Sequence, residues 1–314
     1  MTHQQLKIVS LLPSATEIVA GLGLTDRLVG RSHECDYPLP VIDLPACTAP
    51  KLDPEGSSQE IHDRVTELMN SALSVYEVKN ELLKQLQPTH IITQDQCDVC
   101  ACSLHEVEAA VGEMVSSRPQ IISLQPTVLS EVWADIIRVG QALNADAEAV
   151  VAKLQARVQE ITNQTEGIAQ SDRPTVACIE WSSPLMAAGN WIPELVEMAG
   201  GRSLFGKVGQ HSPWLNWQDL ISANPDIIIF MPCGYDLDRT REDAANLSNH
   251  PNWQKLPAVQ SGKVYLTDGN SFFNRPGPRL VDSLEILAEI LHPQQFQFGY
   301  QNKAWAQASA VPVG

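Results

Sequence analysis

Two rhythms of apolar residues alternate along the chain: short continuous runs, and longer stretches with helical spacing. Lys7–Leu12 is a continuous run and reads as a buried strand. Ser14-Ala15-Thr16-Glu17 follows with the spacing of a capping box, so a helix is predicted to open there and to end at Gly21 or Gly23. A short strand near Leu28–Gly30 leads into a loop, Arg31–Pro38. Helices are predicted from Ser57-Ser58-Gln59-Glu60 and over Val78–Leu86, then a strand over His90–Thr93. A second capping box, Ser103-Leu104-His105-Glu106, and a strand over Gln120–Leu124 complete the first half.

From Thr127 to about Gly167 the strand rhythm stops. Val128, Leu129, Val132, Trp133, Ile136, Ile137 and Val139 recur at helical spacing. Val150, Val151, Leu154, Val158 and Ile161 repeat the pattern after a break at Asn144. A helix of some 20 residues here would be about 30 Å long. The alternation then resumes, with strands over Thr175–Ile179, Ile227–Phe230 and Val264–Leu266. Helices are predicted over Ile192–Ala199 and Pro276–Leu291, and the tail from His292 reads as polar and peripheral. The predicted fold is α/β: two lobes with parallel sheets joined by a single long helix. The corresponding segments are an N-terminal lobe (1–126), connecting helices (127–170), a C-terminal lobe (171–292) and a tail (293–314).

Composition narrows the function. Hydrophobic residues are 44% and charged residues 18%, enough for a large core and against disorder. The net charge of −16 argues against nucleic acid and against an anionic membrane surface. No window approaches the roughly 20 apolar residues of a membrane helix. The apolar run after Met1-Thr2-His3-Gln4-Gln5 is too short for an export signal. The chain as written is therefore expected in the cytoplasm, or in the periplasm if an export segment has been removed. Of seven cysteines, three cluster in Cys97-Asp98-Val99-Cys100-Ala101-Cys102, and a reducing compartment would keep most as thiols.

Ligands of parallel α/β sheets sit at the carboxyl ends of the strands. That rule selects Pro13 and Ser14, His33-Glu34-Cys35-Asp36-Tyr37, and Gln94 in the first lobe. In the second it selects Trp181, Asn190-Trp191, Cys233, and Asn270-Ser271-Phe272-Phe273-Asn274-Arg275, with His211 and Trp214 on a separate loop. Tryptophans in Gly/Pro/Ser/Asn-rich loops either cap the sheet edge or line an aromatic cleft with convergent polar groups. Asn190, Asn270, Asn274 and Arg275 would supply those groups.

Leu11-Leu12-Pro13-Ser14-Ala15-Thr16-Glu17, Pro225-Asp226-Ile227-Ile228-Ile229 and Arg275-Pro276-Gly277-Pro278-Arg279 resemble the cobalamin and iron-siderophore substrate-binding proteins of ABC importers. The resemblance runs from about Lys7 to Leu291. It is nearest to a cobalamin-binding subgroup, through Ser32-His33-Glu34-Cys35-Asp36-Tyr37-Pro38 and Ala187-Ala188-Gly189-Asn190-Trp191. It implies two Rossmann-like lobes of the class III periplasmic-binding-protein type, with a corrinoid between them and no catalysis. By motif position, corrin contacts fall on Trp214, Phe273 and Arg275. The resemblance also implies an ABC-transporter permease as partner, docked through one glutamate per lobe: Glu17 or Glu60, and Glu197.

Plainer readings stand beside these. Ser14 and Glu17 can be a structural cap, while the helix N-terminus they mark could also accept a carboxamide or an anion. Glu34 and Asp36 can fix a turn or accept from a ligand's amides. His211 can hydrogen-bond locally or approach a metal's axial position. Arg275 can brace its loop. Cys97, Cys100 and Cys102 can pack, or hold a metal, haem or iron–sulfur group, although a structural zinc site normally takes four ligands. An iron-siderophore is the other ligand class left open. No phosphate loop and no nucleophile elbow is present, so an enzyme finds no support.

Overall fold

The computed structural model describes residues 6–70, 75–95, 104–112, 118–248 and 250–308. Two compact units share the chain. One is Met1–Gly56, Glu60–Pro126 and Ser130–Ala152; the other is Ser57–Gln59, Thr127–Leu129 and Lys153–Gly314.

In chain order the elements of the first half are β1 (Ile8–Ser10), α1 (Pro13–Gly21), β2 (Leu28–Arg31), β3 (Thr48–Pro50), α2 (Ser58–Asn70), β4 (Tyr76–Val78), α3 (Asn80–Leu86), β5 (His90–Gln94), α4 (Leu104–Gly112) and β6 (Gln120–Leu124). The helices α5 (Leu129–Leu143) and α6 (Ala147–Thr165) follow, parted where Asn144 takes a left-handed φ of 55°. The boundary between the units falls inside α6.

The N-terminal unit is built on a parallel sheet of order β2-β1-β5-β6. Parallel strands are buried on both faces, which is why the predicted runs are continuous rather than alternating. Val9, Leu11, Leu83, Ile91 and Val107 form the core beside this sheet. A two-stranded antiparallel ribbon, β3 with β4, forms a sheet of its own whose Tyr76 and Val78 pack against the same core. Tyr76–Val78 is a strand, so the helix predicted over Val78–Leu86 begins two residues later, at Asn80, and ends at Leu86 as expected.

The first capping box does not form. Leu12 is the N-cap in extended conformation, Pro13 occupies the first turn, and no side chain caps the helix. Proline is preorganised for that position, and it carries Ser14 into the first turn instead of before it. The helix ends at Gly21, with Gly23 at φ 75°, as its glycines predict. The second box cannot be compared, because Ser103 lies outside the described residues.

The C-terminal unit adds β7 (Thr175–Ser182), β8 (Leu185–Ala187), α7 (Ile192–Met198), β9 (Arg202–Ser203), α8 (Trp217–Ala223), β10 (Ile227–Phe230), α9 (Leu237–Ser248), α10 (Pro257–Gln260), β11 (Val264–Thr267), α11 (Leu280–Leu291) and β12 (Trp305–Gln307). Its sheet runs β12-β11-β10-β7-β8, with β9 also on β7. The centre, β11-β10-β7, is parallel, and β8 and β12 pair antiparallel at its flanks. Phe230, Ile228, Ile179, Leu266 and Trp253 fill the core on one face. Each such side chain contributes about 1.5–3 kcal/mol on burial.

Two further expectations change. The last long helix starts at Leu280, not Pro276. The tail is not peripheral: Phe296 and Trp305 are buried, and Tyr265↔Gln307, Leu266↔Ala306 and Thr267↔Trp305 pair it to β11. Glu289 of α11 holds it there, accepting from the Tyr300 amide at 3.2 Å and from the Trp305 indole at 2.8 Å.

Candidate functional site

In the C-terminal unit the loops after β8, β10 and β11 interlock. Asn274 donates from one amide nitrogen to the Met231 carbonyl at 3.0 Å and to the Gly269 carbonyl at 2.9 Å. This ties the β11 loop to the β10 loop. The Asn270 amide donates to the Tyr235 carbonyl at 2.9 Å. A Cβ at Gly269 would collide with the Pro232 carbonyl oxygen, so only glycine allows the two loops this approach. Trp191 donates from its indole to the Phe273 carbonyl at 2.6 Å, and the Phe273 amide donates to Ser283 Oγ at 2.9 Å. Phe273 holds a φ of 66°, an uncommon conformation for a bulky residue that the surrounding bonds over-determine.

The loop with His211 is fastened to the same ensemble. Ser212 donates to Glu180 Oε2 at 2.7 Å and accepts from the Gly189 amide at 3.0 Å. The Asn190 amide donates to the Gln210 carbonyl at 2.7 Å, with Asn190 at φ 50°. Backbone pairing of Met186 with Trp214 extends the β7–β8 hairpin to this loop.

These bonds sort the candidate residues by exposure. Trp214 stands out, with 57% of its surface accessible. Asn190, Asn270, Phe272 and Trp181 are half-buried, and His211 is exposed. The Trp181 indole donates to the Ser183 carbonyl at 3.0 Å, and its ring tilts against Tyr235 at 5.3 Å. Phe272 lies under the Arg279 guanidinium at 5.4 Å and edge-on to Tyr300 at 6.0 Å. Trp191, Phe273 and Arg275 are buried, at 6%, 0% and 7% exposure. Trp191 and Phe273 pack inside the unit, and Arg275 donates to Asn270 Oδ1 at 2.9 Å, bracing its loop from within.

In the N-terminal unit the His33–Tyr37 loop is pinned. His33 Nδ1 lies 2.7 Å from Thr48 Oγ1, and that hydroxyl also accepts from the His33 amide and donates to Ser32 Oγ. Burial pushes the imidazole down to about 4, and the Lys79 and Arg31 cations act in the same direction. Glu34 accepts from Tyr76 Oη at 2.9 Å. Asp36 and Pro13 are half-buried, while Tyr37 is 49% exposed. Ser14 and Gln94 are buried, at 2% and 5%. Glu17, expected as a docking residue, is buried at 3%. Glu60 is exposed in the first turn of α2. Glu197, in the other unit, accepts from the Ser203 amide at 3.1 Å and lies 3.7 Å from Arg173.

Cys97, Cys100 and Cys102 lie outside the described residues. Cys35 is buried and takes a 3.0 Å hydrogen bond from Thr16 Oγ1, whereas Cys233 is exposed. Among the described residues no group of three or more His, Cys, Asp or Glu side chains could hold a metal ion. None of their helices is long and apolar enough to cross a membrane.

The sequence profile of the periplasmic binding proteins matches residues 8–270. The chain belongs to the periplasmic binding protein family. Among relatives of this periplasmic binding protein is an uncharacterized ABC transporter substrate-binding lipoprotein of Bacillus subtilis, 23% identical over 93% of this chain and 81% of that one. A vitamin B12-binding protein of Vibrio cholerae is 25% identical over 93% of this chain and 91% of its own length. Solved structures agree on the fold. The periplasmic vitamin B12-binding protein of Vibrio cholerae superposes with a TM-score of 0.62 at 21% identity, covering 93% of this chain and 98% of that one. A periplasmic heme-binding protein of Pseudomonas aeruginosa gives 0.68 at 19% identity, covering 92% and 93%.

Sequence reasoning missed three features of the C-terminal unit. Asn216 and Asp219 form a complete capping box at α8, and the Asn-x-x-Asp spacing was there to be read. Ser58 donates to Asp243, a pairing across 185 residues that no local signal marks. His250 stacks on Trp217 with ring centroids 3.8 Å apart and planes 4° from parallel.

Proposed function

We propose that this periplasmic binding protein captures a corrinoid, cobalamin or a close relative, without transforming it, for transport, delivery or sensing. The observation that carries the reading is the alignment with the vitamin B12-binding protein of Vibrio cholerae, which spans nearly the whole of both chains. The exposed rings of Trp214 and Tyr37 are suited to the apolar faces of a macrocycle. Asn190, Asn270, Glu34 and Asp36 are suited to its peripheral amides, as acceptors and donors in loops that are already fixed. A small-molecule ligand passes in this reading to an ABC-transporter permease outside the cytoplasm, with Glu60 and Glu197 as the docking glutamates.

Titration of the purified protein with cyanocobalamin, followed by tryptophan fluorescence and calorimetry, tests this. Saturable quenching with matching heat is expected. Silence toward cyanocobalamin, or saturable binding of haemin or a ferric siderophore in its place, overturns the corrinoid reading and leaves the family assignment untouched.

A further inference from the structure

A separate pocket of about 550 Å³ opens in the C-terminal unit. Ser57, Ser58, Gln59, Ser182, Ser183, Asp243, Asn246 and the stacked pair Trp217–His250 provide its polar and aromatic lining. Ser57–Gln59 packs with this unit although it leads into α2. None of the residues named in the proposed function lines it.

One atom in this lining is unsatisfied. Asp243 is 6% exposed, and Ser58 Oγ donates to its Oδ1 while also lying 3.3 Å from Tyr235 Oη. Asp243 Oδ2 is buried with no hydrogen-bond partner. A buried carboxylate oxygen left unmade costs more than an ordinary lost hydrogen bond, so the position favours an incoming donor. The chemistry around it narrows the donor. No lysine or arginine lines the pocket, so nothing there neutralises a phosphate or carboxylate. The lining is otherwise neutral and polar: Ser183 donates to Gln59 Oε1 at 2.9 Å and Ser58 to Asp243, and the hydroxyls keep lone pairs beside Ser182 and the Asn246 amide. The indole–imidazole stack supplies a flat wall.

We infer that this pocket binds a small neutral polyhydroxylated molecule of monosaccharide size. One hydroxyl donates to Asp243 Oδ2, neighbouring hydroxyls are shared among the serines and Asn246, and a C–H face lies against the Trp217–His250 wall. A volume near 550 Å³ is in the range of small-molecule sites and accommodates one such ring.

The test is calorimetric titration of the full chain with glucose, galactose and myo-inositol, beside glucose 6-phosphate and glucosamine. Binding of at least one neutral polyol with an affinity of about 1 mM or tighter is expected, corresponding to about 4 kcal/mol. Asp243→Asn should weaken that polyol at least tenfold. Asn246→Ala, at an exposed position on the rim, should weaken it severalfold while leaving the thermal midpoint unchanged, which guards against a misfolded Asp243 variant. Binding of glucosamine alone marks an ammonium site and overturns the inference. So does binding of the phosphate ester alone, silence toward all five probes, or polyol binding that neither substitution alters. Cyanocobalamin affinity is read separately, so the corrinoid proposal and this one can fail independently.

Discussion

The indole of Trp191 donates to the carbonyl of Phe273, 82 residues further along the chain, at 2.6 Å. It joins the loop that follows the β7–β8 hairpin to the loop after β11, and both side chains are buried. Trp191→Phe keeps an aromatic ring but leaves that carbonyl without its donor. We expect a loss of about 1–3 kcal/mol in urea unfolding.

Arg157 of α6 reaches α11, with Nε 2.9 Å and a terminal nitrogen 2.7 Å from the Glu285 carboxylate and the same nitrogen 2.5 Å from Asp282. Glu285 is 6% exposed and also accepts from Tyr300 Oη at 2.9 Å. Arg157→Ala strands a buried carboxylate, so a cost of about 3 kcal/mol is expected by chemical denaturation. Replacing Arg157 and Glu285 together by apolar residues should cost less than the single change, and a double-mutant cycle reads the difference.

Stability should respond to His33 in mild acid. Its folded value, about 4, lies below the ordinary 6.5, so the folded state resists the proton that the unfolded chain accepts. Above about pH 6.5 the group is neutral in both states and has no effect. As pH falls from about 6.5 to about 4, it should lower stability, with a slope on the order of 1 kcal/mol per pH unit. His33→Gln should flatten that slope in denaturant midpoints measured across the window. An unchanged slope removes His33 as its source.

Trp214→Ala removes an exposed ring and should change stability by no more than about 0.5 kcal/mol. In the corrinoid reading it should weaken cyanocobalamin about tenfold or more. Equal affinity in the variant shows that this ring makes no contact with the ligand.

Thiol reactivity should separate the cysteines. Burial raises Cys47 to about 11 and Cys178 to about 12, while Cys233 is exposed. Only thiolates react quickly, so Cys233→Ser should lower the count labelled under native conditions by one. Cys35, Cys47 and Cys178 should label only on unfolding, as read by peptide mass spectrometry.

The architecture was legible in the sequence where a single local signal sufficed. Ile227–Phe230 and Gln120–Leu124 are strands at the predicted residues, because β-branched runs bounded by proline leave few alternatives. The α5–α6 break at Asn144 and the end of α1 at Gly21 follow from residues that tolerate a left-handed backbone or end a helix. The site was less legible, because pattern does not say which way a loop residue faces. Trp191 and Trp214 both sit in glycine- or proline-flanked loops, yet one is buried and the other exposed. Ser14 failed as a cap because the motif takes no account of the proline before it. Ser58 and Asp243 meet only through the fold.

The short β12 also has a bearing on how copies of this chain meet. Without Trp305–Gln307, β11 would present a bare row of amides and carbonyls, an open template for strand exchange between molecules. Three residues, latched by one carboxylate of α11, instead give that flank a stub too brief to seed such pairing.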